Sequence, residues 1–470
     1  MSSEPILVLQ MQRMGDLLLT FPLLLWLTRR YPGHPLWVVA ERRFFEPLLP
    51  LSPKAAYVDW TEAEGLKAHR FKMLLNLSHR PEAAWLAGVL QAETRLGPVR
   101  TPNGATYIHG DWQLYRASLV HNNRHNRFHW AELNALDCVP LREIQATSMP
   151  SPRTPPQDTP AVGLFLGASE AAKRPTPAFW AALARELLAR NVRPVLLGGP
   201  GDVALGREVQ AALAAPVADL CGRFDLSAFA RMGQTLGLMI TPDTGPMHLA
   251  AWTGLKTINL SMGPVSPWET GPHSPGHLVV QAAMSCTGCW RCTRGESPCC
   301  REAFPPTAIA ALARRFLVTA DPLQLPIRRL ERLRLFATGR DARGLYALIP
   351  LDPTQPPPAR EALSGLWRDF MGHAFGLWDD AAPRAAWQAL QHAHPVLGMR
   401  FRKGLGELGR CLSQALRTRS PLEEAFWAAH PPLLRPLASV LQLTLQNHDF
   451  SPQGYARALS LVERAHGLTR

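Results

Sequence analysis

The stretch Thr241-Pro242-Asp243-Thr244-Gly245-Pro246-Met247-His248-Leu249-Ala250-Ala251 decides how this chain is read. The apolar run from Leu236 to Thr241 predicts a buried strand, Pro242 to Pro246 a turn, and Met247 to Trp252 a helix. A helix that starts on threonine, glycine and proline leaves N–H groups without partners at the edge of the sheet, and such a terminus attracts anions. Asp243 can accept hydrogen bonds from hydroxyls, and His248 lies one turn in, facing the same end. Alone, His248 would read as a hydrogen-bonded core histidine. Inside this motif it reads as functional.

The same alternation extends in both directions. Val162 to Leu166, Pro194 to Leu197 and Lys256 to Leu260 are strand candidates, and Thr176-Pro177 marks a helix start. Nearer the start, Ile6 to Leu9, Leu36 to Val39 and Met73 to Leu77 read as strands, with a helix-like stretch from Leu17 to Arg30. Strands alternating with helices predict open α/β sheets. Met149 to Pro160 carries five prolines and reads as a linker. Past about Leu325 the pattern is helical only, with a capping box at Ser420-Pro421-Leu422-Glu423 and a helix start at Ser451-Pro452. The expected domains are therefore 1–155, 160–325 and a helical extension over 326–470.

Composition narrows the function. A chain of 470 residues with 46% hydrophobic and 19% charged residues has apolar material for several cores, which excludes wholesale disorder. The net charge of +13 suits an anionic partner. Only six of the 50 basic residues are lysines, and no basic stripe with interleaved aromatics is present, so nucleic acid is not expected. Leu17 to Leu27 is 11 residues long, short of the ~20 that a membrane span needs. Arg13 and Asp16 also interrupt any signal-peptide pattern, so a cytoplasmic protein is expected. Residues 326–470 hold 19 basic against 12 acidic residues, and this surplus fits peripheral contact with an anionic inner membrane.

Two further turns follow strands. Gly15-Asp16 lies after the first, where open α/β sheets place ligands. A carboxylate at a helix start tends to stay ionised and can take a proton from an attacking hydroxyl; on position alone it reads as a helix cap. Gly167 to Arg174 offers small residues and Lys173 for phosphate, though neither a P-loop nor a Gly-x-Gly-x-x-Gly fingerprint exists.

Taken in order, these segments resemble glycosyltransferase family nine, the ADP-heptose:lipopolysaccharide heptosyltransferases. Residues 241–251 are similar to its signature, and Arg13-Met14-Gly15-Asp16 to its N-terminal turn. Lys173-Arg174 with Phe179-Trp180 resembles its Lys-Arg-Trp-Pro segment, although Pro175 stands where the tryptophan would follow. Leu197 to Pro200, Asp219 to Arg223 and Thr270-Gly271-Pro272 match further motifs, so that residues 4–320 are covered. The resemblance implies an α/β GT-B fold, two Rossmann-like domains facing a cleft, with acceptor on the first and nucleotide-sugar on the second. It implies inverting transfer of a heptose from an ADP-sugar to a lipid-linked glycan such as a lipopolysaccharide core, Asp16 acting as general base. Lys173 and the backbone of Thr244 and Gly245 would hold the diphosphate, without a metal. Ser169, Asp243 and His248 fall on donor-site positions, Phe224 beside the adenine and Asp202 near the ribose.

Five of the eight cysteines fall between Cys286 and Cys300. The run Cys286-x2-Cys289-x2-Cys292-x6-Cys299-Cys300 points to one structural metal ion, zinc or iron, rather than to disulfides. Cys286, Cys289, Cys292 and Cys299 are the expected ligands, with Cys300 as substitute. An iron–sulfur or zinc-binding redox protein is the alternative carried by the cysteines alone. A family member that glycosylates a protein acceptor is another.

Overall fold

The computed structural model describes residues 3–469 apart from 151–152, 154–160, 214, 291, 293–298, 326–329, 331 and 353–357. Most of the expected linker, Met149 to Pro160, lies outside the described residues.

The first sheet has six strands: β1 (Ile6–Leu9), β2 (Leu36–Ala40), β3 (Ala56–Asp59), β4 (Arg70–Asn76), β5 (Gln91–Arg100) and β6 (Thr106–His109), in the order β3-β2-β1-β4-β5-β6. All neighbours are parallel except β5 and β6. Both faces of β1 are covered, which is why Ile6 to Leu9 is uniformly apolar and fully buried. The expected helix over Leu17 to Arg30 is two helices, Met14–Leu18 and Phe21–Arg30. Pro22 sits in the first turn of the second, a position where its missing N–H costs nothing.

The second sheet has eight strands: β7 (Ala161–Phe165), β8 (Arg193–Leu197), β9 (Ala218–Asp219), β10 (Leu238–Pro242), β11 (Thr257–Ser261), β12 (Leu278–Ala282), β13 (Leu333–Arg340) and β14 (Tyr346–Pro350). Their order is β14-β13-β12-β11-β10-β7-β8-β9, with β7 to β12 parallel and the last two antiparallel. Each sheet reverses its strand order once, between β1 and β4 and between β7 and β10. Such switch points open crevices at the carboxyl ends of the strands.

The hairpin β13–β14 corrects the reading of residues past Leu325 as helical only. Leu333, Leu335, Phe336, Tyr346 and Leu348 bury their side chains, so the second sheet runs on to Pro350. Helices then follow, from Ala359–Ala374 to Pro452–Gly467. They pack back on the first sheet's domain: Phe375 meets Trp112 and Tyr115, Trp378 stacks on Phe128, and Asn447 pairs both its amide groups with the backbone of Ile108. The region beyond residue 325 thus joins the second sheet and rests on the first domain. Of the expected helix starts, Thr176 and Ser451 cap as read, each accepting a backbone N–H three residues on. Ser420 to Glu423 is not a capping box; that helix starts at Glu424, after Arg419 has ended the previous one in a left-handed turn.

Candidate active site

The turns after β1 and β10 meet. A methyl added to Gly15 would lie 3.6 Å from the Cα of Gly245 and 3.5 Å from His248 Cδ2. One added to Gly245 would lie 3.4 Å from the Gly15 nitrogen. A side chain at Gly245 would also meet the end of Met14, so this close approach of the two domains is packed by Met14 as well as by the glycine backbones. Lys173 comes within electrostatic reach of both Asp16 and His248 at this contact.

Burial pushes the Asp16 carboxyl above its usual range, against the pull of Arg116, of Arg13 and of Lys173. Burial, more than the helix end, therefore sets its proton affinity, and it moves Asp16 toward the working range of a general base. Arg116 is itself buried, which lowers its pKa to about 10. Its Nη2 donates to Leu77 O at 2.8 Å, and the guanidinium lies over the Trp130 ring.

On the donor side, the helix Gly245–Trp252 begins at Thr244 without a side-chain cap. Pro246 has no N–H, and that of Met247 is bonded to Thr244 O, which leaves those of Thr244 and Gly245 as the donors the turn offers. Lys173 sits on the short helical turn Ala171–Lys173 after β7, 3.6 Å from Glu170. Asp243 accepts from Thr270 Oγ1. His248 is held neutral by burial, opposed by Asp243, and its Nδ1 has no partner. The Thr270-Gly271 segment is tied to the first domain, because Gly271 O accepts from His129 Nε2 at 2.9 Å. His129 Nδ1 in turn accepts the Ala131 N–H, so one tautomer serves both bonds.

The remaining expected donor residues are placed less uniformly. Ser169 is exposed on the turn after β7. Asp202 accepts the Gly199 N–H at 2.8 Å, and Gly167 and Gly198 pack on its carboxyl, so it shapes the turns after β7 and β8. Phe224 is half-buried and packs against the core beyond β9. Reading the sequence missed Arg116, Asn123, Asn126 and His129 on the first domain and Glu269 on the second, all buried polar or charged side chains. No motif marks them; burial of a polar group is their signature, and burial is invisible in a sequence without periodicity to frame it.

Cys286, Cys289, Cys292, Cys299 and Cys300 line one cavity of about 40 Å³, together with Ala172, Gly263 and Trp290. The donor chemistry fits a thiophilic ion, yet among the described residues no group of three His, Cys, Asp or Glu is arranged to hold one. Cys289 is in electrostatic reach of Cys286, Cys300 and Cys292. Cys300 is buried and its Sγ accepts the Gly263 N–H. A methyl on Gly263 would lie 2.7 Å from Ala172 O, so the cysteine cavity directly backs the turn that carries Lys173. Among the described residues no helix is long and apolar enough to cross a membrane.

The family model for glycosyltransferase family 9 (heptosyltransferase) matches residues 61–299. Among solved structures, ADP-heptose lipopolysaccharide heptosyltransferase II from E. coli is similar at 19% identity and a TM-score of 0.52, covering 67% of this chain and 99% of that one. A family 9 glycosyltransferase from Veillonella parvula is similar at 19% identity and a TM-score of 0.45, covering 58% and 84%. E. coli heptosyltransferase WaaC with ADP is similar at 18% identity and a TM-score of 0.40, covering 57% and 90%. None of the curated protein sequences matches.

Proposed function

The chain belongs to glycosyltransferase family 9, the heptosyltransferases, and on that premise we propose that it moves a heptose or related sugar from an ADP-sugar to a lipopolysaccharide core or similar glycan. The observation that carries this reading is the contact of Gly15 with Gly245 and His248, which sets the acceptor-side carboxylate against the donor-side helix start. Asp16 takes the proton of the acceptor hydroxyl as its oxygen attacks the anomeric carbon. The bond from that carbon to the diphosphate breaks on the opposite face, and the configuration inverts. The negative charge left on ADP is met by Lys173 and by the N–H groups of Thr244 and Gly245, which do the work of a metal ion. Asp243 and His248 orient the donor, Ser169 and Phe224 border it, and Asp202 acts through the turns it holds.

The cysteines take no part in transfer. Cys286, Cys289 and Cys292 would hold one zinc or iron ion with Cys299 or with Cys300 in its place; what favours Cys300 is its burial. The ion would stiffen the loop behind Lys173. On the helix Pro395–Thr418, exposed Val396 and Met399 lie beside Arg400 and Lys403, a composition suited to an anionic lipid surface on the cytoplasmic side.

The test is transfer from ADP-heptose to a core oligosaccharide prepared from cells that lack heptose. A single inverted product with release of one ADP is expected. Neither binding nor turnover of any ADP-sugar would overturn the reading.

A further inference from the structure

Glu269 lies on the short helix Pro267–Thr270, next to Thr270, which bonds the donor-site Asp243. Its side chain reaches across to the first domain. The side chains of Asn126 and Asn123 lie close to its carboxyl, and Arg116 and Asp243 are within electrostatic reach. Arg116 is shared, since it feels both Asp16 and Glu269. The residue is 8% exposed, yet its Oε2 is buried without a hydrogen-bond partner.

Other buried carboxylates in this chain have structural tasks. Glu132 accepts the N–H groups of Tyr346 and His129, and Glu361 is paired with Arg127 and Arg334. Glu269 has neither arginine pairing nor a complete hydrogen-bond set, and an oxygen left so is costly unless something else pairs it. Its surroundings say what that is. Asn126 is locked by Tyr115 Oη, by the Phe128 N–H and by its own bond to Phe128 O, so the amide that faces Glu269 cannot turn away. Asn123 is held through Trp290 Nε1 and Pro264 O. Two fixed neutral amides and one carboxyl, with Asp243 and the shared Arg116 in electrostatic reach, form a hydrogen-bonding corner for a polyol rather than for an anion. Burial also pushes the Glu269 pKa up to about 8, so that near neutrality it can give a hydrogen bond as well as take one.

We propose that Glu269 is a sugar-binding residue: its free oxygen pairs a hydroxyl of the sugar lying between Asp16 and Asp243. This rests on the transfer reading above. The hydroxyl belongs either to the transferred sugar or to the acceptor sugar, and the measurements separate them. Glu269→Ala, Glu269→Gln and Glu269→Asp are compared with wild type for ADP affinity, ADP-heptose affinity, and kcat and KM toward the heptose-free core oligosaccharide, with melting temperature as the fold check. Glu269→Ala is expected to leave ADP affinity within about 2-fold and to cost ~10-fold in one sugar readout. A loss in ADP-heptose affinity identifies the transferred sugar; a rise in acceptor KM identifies the acceptor. Glu269→Gln should recover most of the loss, because its amide keeps the hydrogen bond. If Glu269→Ala does not fold, Glu269→Asp, which draws the carboxyl back by one methylene, is expected to show the same loss in a folded protein. Sugar readouts unchanged in folded variants, or a fall in ADP affinity of the same size, would overturn the role of Glu269 while wild-type transfer keeps the parent reading. A wild type that binds no ADP-sugar would overturn both.

Discussion

The turns after β1 and after β10 share one construction and differ in what fills it. Each follows a fully buried strand, each opens a helix, and each has a glycine where the other approaches. A helix start favours negative charge. At the first turn the protein supplies that charge itself, as Asp16. At the second the helix start itself carries none: Asp243, just before it, accepts from Thr270, while Thr244 and Gly245 offer N–H groups and Lys173 adds a cation nearby. One turn is therefore suited to take a proton and the other to receive a leaving anion. On the proposed reading, the residue at each helix start, not the fold around it, divides the two halves of the transfer.

The sharpest way to break this division is Asp16→Asn. Transfer should fall by ~10²–10⁴, the usual cost of losing a general base. In wild type the rate should rise with pH through the ionisation of Asp16, at a pH above the ordinary aspartate value of about 3.9, because burial raises it and the base works only when deprotonated. That limb should be missing from the pH profile of Asp16→Asn.

A smaller effect is expected on the other turn. Lys173→Ala should weaken ADP binding by ~10-fold or more in calorimetry, the loss of a charge-assisted contact worth about 1.5–3 kcal/mol. The fold should persist, since among the described residues the close ion-pair partner of Lys173 is the exposed Glu170 next to it in the same turn.

The smallest effects concern the loop behind that turn. Cys286→Ser/Cys289→Ser should lose about one equivalent of bound metal and lower the melting temperature by several degrees, with a weaker loss of ADP affinity than Lys173→Ala. Cys300→Ser should do more of this than Cys299→Ser, because Cys300 is the buried thiol bonded to Gly263. A double variant that stays stable but loses transfer would sharpen the comparison differently, by moving the cysteines into the chemistry.

Much of the donor side was legible in the sequence. Its strands are covered on both faces, so β7, β10 and β11 are continuous apolar runs, and its turns use glycine, proline and threonine where backbone geometry needs them. Two strands, each one in from the edge of its sheet, were not. The pattern of β5 is polar, with Gln91, Glu93, Thr94 and Arg95 around a few apolar residues, because much of it is exposed to solvent. The strand β13 is mostly buried, but Arg334 and Arg340 break its apolar run, one paired with Glu361 and the other bonded to Gly344 O. The first-domain wall of the cleft was hidden for another reason. Arg116 on Asp111–Ser118 looks like any solvated helical arginine, and only the packing of Trp130 over it and Asp16 beside it makes it part of the site.

The division between the two turns is tested most directly by titrating ADP into Asp16→Asn and Lys173→Ala side by side. The account predicts an affinity within about 2-fold of wild type for Asp16→Asn and a loss of ~10-fold or more for Lys173→Ala. Equal losses in the two variants, or a loss in Asp16→Asn alone, would contradict it.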